Sequence, residues 1–158
     1  MKLILTSLIS LTIGFNCLAQ SYNTKSTHAL KNETATTIQS GYDAYKKIAL
    51  NIWDYAELGY KEKKSSALLQ QTLKDNGFTV EAGVAGMPTA FVATYGSGSP
   101  VIGILAEYDA LPGLSQDNSS TKTTMANKPN GHGCGHHLFG TGSVAAGIAL
   151  KKLLESGK

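Results

Sequence analysis

Val101-Ile102-Gly103-Ile104-Leu105-Ala106-Glu107-Tyr108-Asp109 opens with six uncharged residues and ends on two carboxylates. An unbroken apolar run of this length is expected of an interior strand covered on both faces. It predicts an α/β fold in which helices cover the sheet on both faces. Ligands in such sheets bind beyond the carboxyl ends of the strands. Glu107 and Asp109 stand at that end, two residues apart, so they are candidate site residues. A carboxylate buried there needs a partner such as a metal ion or an imidazole. One of the two can instead orient a histidine ligand and fix its tautomer. The plainer alternative is a pair of acids bracing the next loop.

The flanking segments complete the α/β pattern. Thr89 to Tyr95 alternates and is rich in β-formers, and Gly96-Ser97-Gly98-Ser99 is a turn, so an antiparallel hairpin with 101–106 is expected. Phe78 to Glu81 is a further short strand candidate. Before these, Ile38, Tyr42, Tyr45, Ala49, Ile52 and Ala56 follow three- and four-residue steps, predicting a helix from about Thr36 to Ala56. A second helix is predicted from Lys61 to Asn76, with Ala67, Leu68 and Leu73 on its apolar stripe and Asn76-Gly77 as its stop. Tyr45, Trp53 and Tyr60 read as core or boundary residues. Beyond Asp109, the polar stretch 113–130 has little regular pattern, and long irregular loops in compact domains are often functional. A last helix is predicted over Thr141 to Glu155, with Val144, Ala145, Ile148 and Leu153 buried and glycines 140, 142 and 147 allowing close packing.

Between that loop and that helix lies Asn130-Gly131-His132-Gly133-Cys134-Gly135-His136-His137. Three of the chain's four histidines and one of its two cysteines fall within six positions. Thiolate and imidazole are preferred ligands of zinc and similar metals. Cys134 and His136 are two apart, a spacing that points both to one side of an extended loop. They are the candidate metal ligands. His132 and His137 are candidates for a further ligand, an oxyanion donor or a substrate contact. A thiolate–imidazolium nucleophile built on Cys134 is the competing chemistry, but an exported free thiol oxidises readily.

Export is itself an expectation. Lys2, the uncharged run from Leu3 to Phe15 and Cys17-Leu18-Ala19 before Gln20 form a secretory signal pattern over 1–19, implying a periplasmic or extracellular location with no stable membrane anchor. Residues 20–35 read as a flexible leader and 36–158 as the folded body. Losing Lys2 lowers the net charge from +3 to +2, too little to support nucleic-acid binding. It also leaves Cys134 without a disulfide partner in the chain.

Ile104 to Gly113 followed by Gly131 to His137 resembles the metal-dependent amidohydrolases of the aminoacylase and carboxypeptidase superfamily. Within it the chain looks most like the p-aminobenzoyl-glutamate hydrolase branch. Ala56-Glu57-Leu58-Gly59-Tyr60-Lys61-Glu62 is similar to an early family element that usually starts with proline. The resemblance implies the N-terminal part of a three-layer αβα zinc-peptidase-like domain, incomplete here, with the dimerisation domain absent. It implies Cys134 and His136 as ligands and Asp109 as the acid that orients the metal site. Glu107 stands where carboxypeptidase relatives have a ligand histidine, and His137 replaces an aspartate of many aminoacylase-like members. It further implies a divalent metal, zinc or manganese, two per complete site. The reaction would be hydrolysis of an N-acyl or p-aminobenzoyl amino acid or dipeptide, in a homodimer when full-length. The general-base glutamate and remaining ligands belong after the cluster, where only 22 residues follow His136 and no Glu-Glu pair occurs. The expectation is therefore a hydrolase fragment inactive by itself. The alternatives are a non-catalytic metal-binding module and a half-enzyme completed by a separate chain.

Overall fold

A computed structural model of the chain describes residues 24–157; the signal pattern at 1–19 lies outside them. Four helices carry most of the structure: α1 (Thr24–Ser40), α2 (Tyr42–Tyr55), α3 (Lys63–Asp75) and α4 (His136–Glu155). Two small antiparallel sheets complete the mixed α/β fold. One pairs β1 (Thr79–Ala82) with β2 (Phe91–Thr94), and the other pairs β3 (Leu111–Pro112) with β4 (Asn130–Gly131).

The core lies where α2, α3 and α4 meet. Ile48 and Ile52 from α2, Leu69 and Leu73 from α3, and Val144 and Ile148 from α4 form one buried cluster. Each such side chain contributes roughly 1.5–3 kcal/mol of hydrophobic stabilisation. The spacings 48/52, 69/73 and 144/148 are each one helical turn. Phe78, Val80, Phe91 and Ala93 bring the β1–β2 sheet against its edge.

Three expectations about the helices are corrected. The first helix is two: Gly41 interrupts the stripe, so α1 ends at Ser40 and α2 begins at Tyr42. Residues 24–35, read as part of a flexible leader, are helical. Thr27, Leu30, Glu33, Thr34, Thr37 and Ile38 are the half-buried residues of α1, which packs on α4. Four of these six are threonine or glutamate, so hydropathy does not reveal that side. On α3 the buried face is Ser65, Ser66, Leu69 and Leu73, while Ala67 is exposed.

The largest correction concerns residues 101–106. They belong to no strand, and β2 pairs with β1 instead. Val101 and Leu105 are 86% and 72% exposed. A strand is defined by ladder hydrogen bonds to a neighbour, and no described strand runs beside this segment. Its carboxyl end is held by other means: α4 supports it, Ala110 N donates to Glu57 O (2.7 Å), and Ala110 bridges to Leu58. These contacts position the site.

Candidate metal centre

His136 is the first residue of α4, so its position follows from how that helix starts. Residues 132–135 close a turn in which Gly135 N donates to His132 O (3.0 Å), and Gly135 then takes φ +76°, the left-handed region that favours glycine. Gly131 is required for a different reason. A Cβ there would stand 1.8 Å from the Leu114 carbonyl oxygen, because β3 and β4 bring the two backbones together.

The turn delivers His136 between the two carboxylates. Its Nδ1 is 2.8 Å from Asp109 Oδ1, and its Nε2 is 3.0 Å from Glu107 Oε2. Asp109 and His136 are partly buried and Glu107 is exposed. Each offers a ligand atom within 4.8 Å of the others, a grouping that could hold a metal ion. The donor set fits one. A histidine ligand characteristically bonds the metal through one nitrogen and a carboxylate through the other. Asp109 already occupies Nδ1, and the Nε2–Glu107 separation resembles that of two ligands sharing an ion with bonds of about 2.0–2.2 Å. Cys134 is exposed and lies outside this group of three.

His132 and His137 are brought together on the other side of the turn. Their rings are 4.9 Å apart, and both face Trp53, at 6.1 Å for His132 and 4.8 Å for His137. Both are buried. His132 Nε2 lies 3.0 Å from Ile52 O, so it donates there when protonated. Burial lowers the pKa of His132, against the pull of the Ile52 carbonyl. Burial, aided by His132, pushes His137 down to about 4. They pack as neutral aromatic residues against α2.

Beside the three-residue group runs a cleft of about 300 Å³, lined by Gly59, Tyr60, Glu62, Thr89, Glu107 and Asp109 among others. Tyr60, expected in the core or at its boundary, is 73% exposed at this cleft. Glu62 is buried and accepts a hydrogen bond from Thr89 Oγ1 (2.6 Å).

No protein-family model matches the chain. Over 119 residues it is 46% identical to a subunit of p-aminobenzoyl-glutamate hydrolase from Escherichia coli (strain K12), covering 75% of this chain and 25% of that protein. Over 92 residues it is 37% identical to Thermostable carboxypeptidase 1 of Saccharolobus solfataricus, covering 57% and 23%. The chain belongs to the amidohydrolase and peptidase superfamily. A third member, Xaa-Arg dipeptidase of Mus musculus, is 29% identical over 137 residues, 80% of this chain and 28% of that protein. The chain thus spans about a quarter of the length of these relatives.

Contacts that hold the segments around the cleft escaped sequence reasoning. Tyr108 OH donates to Thr89 O (2.5 Å), and so does Ser66 Oγ (2.6 Å). Glu57 accepts from the backbone N–H groups of Lys64 and Ser65 at 2.9–3.0 Å, capping α3. The only signal was a tyrosine between two acids, and an acid six residues before the first residue of α3.

Proposed function

We propose that this chain carries part of the active site of a metal-dependent amidohydrolase within a three-layer αβα domain. The observation that supports the reading best is His136 standing 2.8 Å from Asp109 and 3.0 Å from Glu107 at once. In this proposal Glu107 and His136 hold a divalent ion, zinc or manganese, and Cys134 joins them after a rearrangement of its exposed turn. When bound, the ion supplies Lewis acidity and an activated water. Asp109 holds the His136 tautomer by accepting from Nδ1–H, which leaves Nε2 as the free electron pair. The cleft at Gly59, Tyr60 and Glu62 admits the amide.

The substrate class proposed is an N-acyl or p-aminobenzoyl amino acid or a dipeptide, supported by the relatives' names. Turnover is proposed to need further polypeptide carrying a general base and a second set of ligands, in a homodimer. Export to the periplasm or outside the cell is proposed from the signal pattern. Among the described residues, no helix is long and apolar enough to cross a membrane.

Calorimetric titration of the purified chain with zinc and manganese tests the metal reading. His136→Ala is expected to abolish binding, and Asp109→Asn to weaken it about 10- to 100-fold. Affinity unaffected by His136→Ala overturns the reading. Loss of affinity in Cys134→Ser supports Cys134 as a ligand, and no change removes it from the set. Hydrolysis of p-aminobenzoyl-glutamate by this chain alone, with metal supplied, overturns the need for further polypeptide.

A further inference from the structure

We infer that Gly140 and Tyr108 are positioning residues that set the separation between His136 and its two carboxylates. The inference rests on the metal reading proposed above and goes beyond it by naming what holds the ligands in place.

His136, Gly140 and Ser143 are spaced four and three residues apart on α4, so they share one helix face. Each meets the extended segment ending at Asp109. His136 meets Glu107 and Asp109, Gly140 meets the Glu107 carbonyl and Tyr108, and Ser143 Oγ donates to Leu105 O (2.6 Å). Moving down α4 from 136 to 143 corresponds to moving back along the segment from 109 to 105. The two therefore run in opposite directions, with Gly140 at the middle of the contact.

Gly140 is where the approach is closest. A Cβ there would lie 2.8 Å from Glu107 O, 3.2 Å from Tyr108 Cβ and 3.4 Å from Leu69 Cδ1. The first two are a backbone atom and a Cβ, which cannot swing aside as a long side chain can. An added methyl must displace the segment by several tenths of an ångström, at the residue that carries the Glu107 carboxylate. A metal site tolerates about 0.2 Å of error in ligand distance.

Tyr108 holds the segment on its inward side. Glu107 and Asp109 meet His136, while Tyr108 packs against the core. Its ring stacks on Phe91 (6.0 Å), and its hydroxyl bonds the Thr89 carbonyl, which Ser66 also holds. Thr89 itself is buried and tied to Glu62. The segment is held by its close contact with the glycine on α4 and by this hydroxyl network.

The test compares Gly140→Ala, Tyr108→Phe and Gly142→Ala with the unaltered chain, using Co²⁺ as the probe. Gly142 lies on the same helix, and a Cβ there meets nothing within 4 Å, so it controls for the change in helix propensity. Affinity is read by calorimetry, ligand geometry by the visible absorption of bound Co²⁺, and folding by circular dichroism. Gly140→Ala is expected to weaken Co²⁺ about 10- to 100-fold, as loss of a ligand-orienting contact does, with an altered absorption band and a retained helical spectrum. Tyr108→Phe is expected to shift the band in the same sense, and Gly142→Ala to match the unaltered chain. If Gly140→Ala does not fold, Tyr108→Phe decides. An unchanged band and affinity in the variants that fold overturns the positioning role and leaves the metal reading intact. Failure of the unaltered chain to bind Co²⁺ overturns the metal reading, and this inference with it.

Discussion

Ala56 holds a backbone conformation that only glycine adopts freely. It ends α2 at φ +42°, ψ +45°, and its N–H donates to Ile52 O (3.1 Å). A left-handed residue just past a helix usually is glycine, and an L-residue there costs roughly 1–2 kcal/mol. The resembling family usually has proline at this position, yet proline fits neither feature. Its ring fixes φ near −65° and it has no N–H. Ala56→Pro is therefore expected to destabilise the chain by about 3 kcal/mol or more, measured as a shift of the urea midpoint. A midpoint that stays put means the α2–Glu57 link has another geometry. The same link carries Glu57, whose carboxylate caps α3, so local structure fixes residues 56–62.

At the level of elements, the contact between α2 and the start of α4 depends on histidines staying uncharged. His137 is buried against Trp53 with its pKa lowered to about 4, and His132 is lowered too. In the unfolded chain both titrate near 6.5. Above that pH neither state binds the proton, and the stabilisation is complete. As pH falls from about 6.5 toward 4, the unfolded chain takes up protons that the folded chain refuses, so stability is lost. The melting temperature is expected to fall between pH 7.5 and pH 5, and to fall less in His137→Phe, which keeps a ring against Trp53. An equal fall in both proteins overturns the assignment. Sequence revealed most of α2 and α3, and α4 from Thr141 onward, because their apolar positions recur about one turn apart, as at Val144 and Ile148; it missed the first turn of α4, which starts at His136. It hid most of α1 because threonines line that helix's packed side. Two-residue spacing singled out Glu107, Asp109 and His136, which the structure brings together, but not that Cys134 would stand outside that group, since the direction of a thiol in a glycine turn depends on φ values such as that of Gly135. Nor did it reveal that His132 and His137 would turn toward Trp53, a contact made across distant elements.

For the whole molecule, the decisive feature is the segment that sequence marked as an interior strand. Residues 101–106 have a strand's composition without a strand's neighbours: Val101, Ile102, Ile104 and Leu105 are all exposed. Extended apolar chain with unpaired backbone groups is a template for pairing with another chain, and contiguous exposed apolar surface favours association. The near-neutral charge of the chain offers little repulsion to oppose it. The segment's one internal hydrogen bond from α4, Ser143 to Leu105, holds a carbonyl and leaves the side chains outward. Concentration-dependent self-association is therefore expected, read by sedimentation velocity. Val101→Lys with Leu105→Lys is expected to raise the monomer fraction several-fold, because like charges now face any incoming copy of the same strand. Co²⁺ affinity, measured in parallel, serves as the check that the site beyond Leu105 is undisturbed. If the double variant associates as strongly as the unaltered chain, the adhesive surface lies elsewhere, and the exposed residues Leu138 and Phe139 at the start of α4 become the surface to alter next.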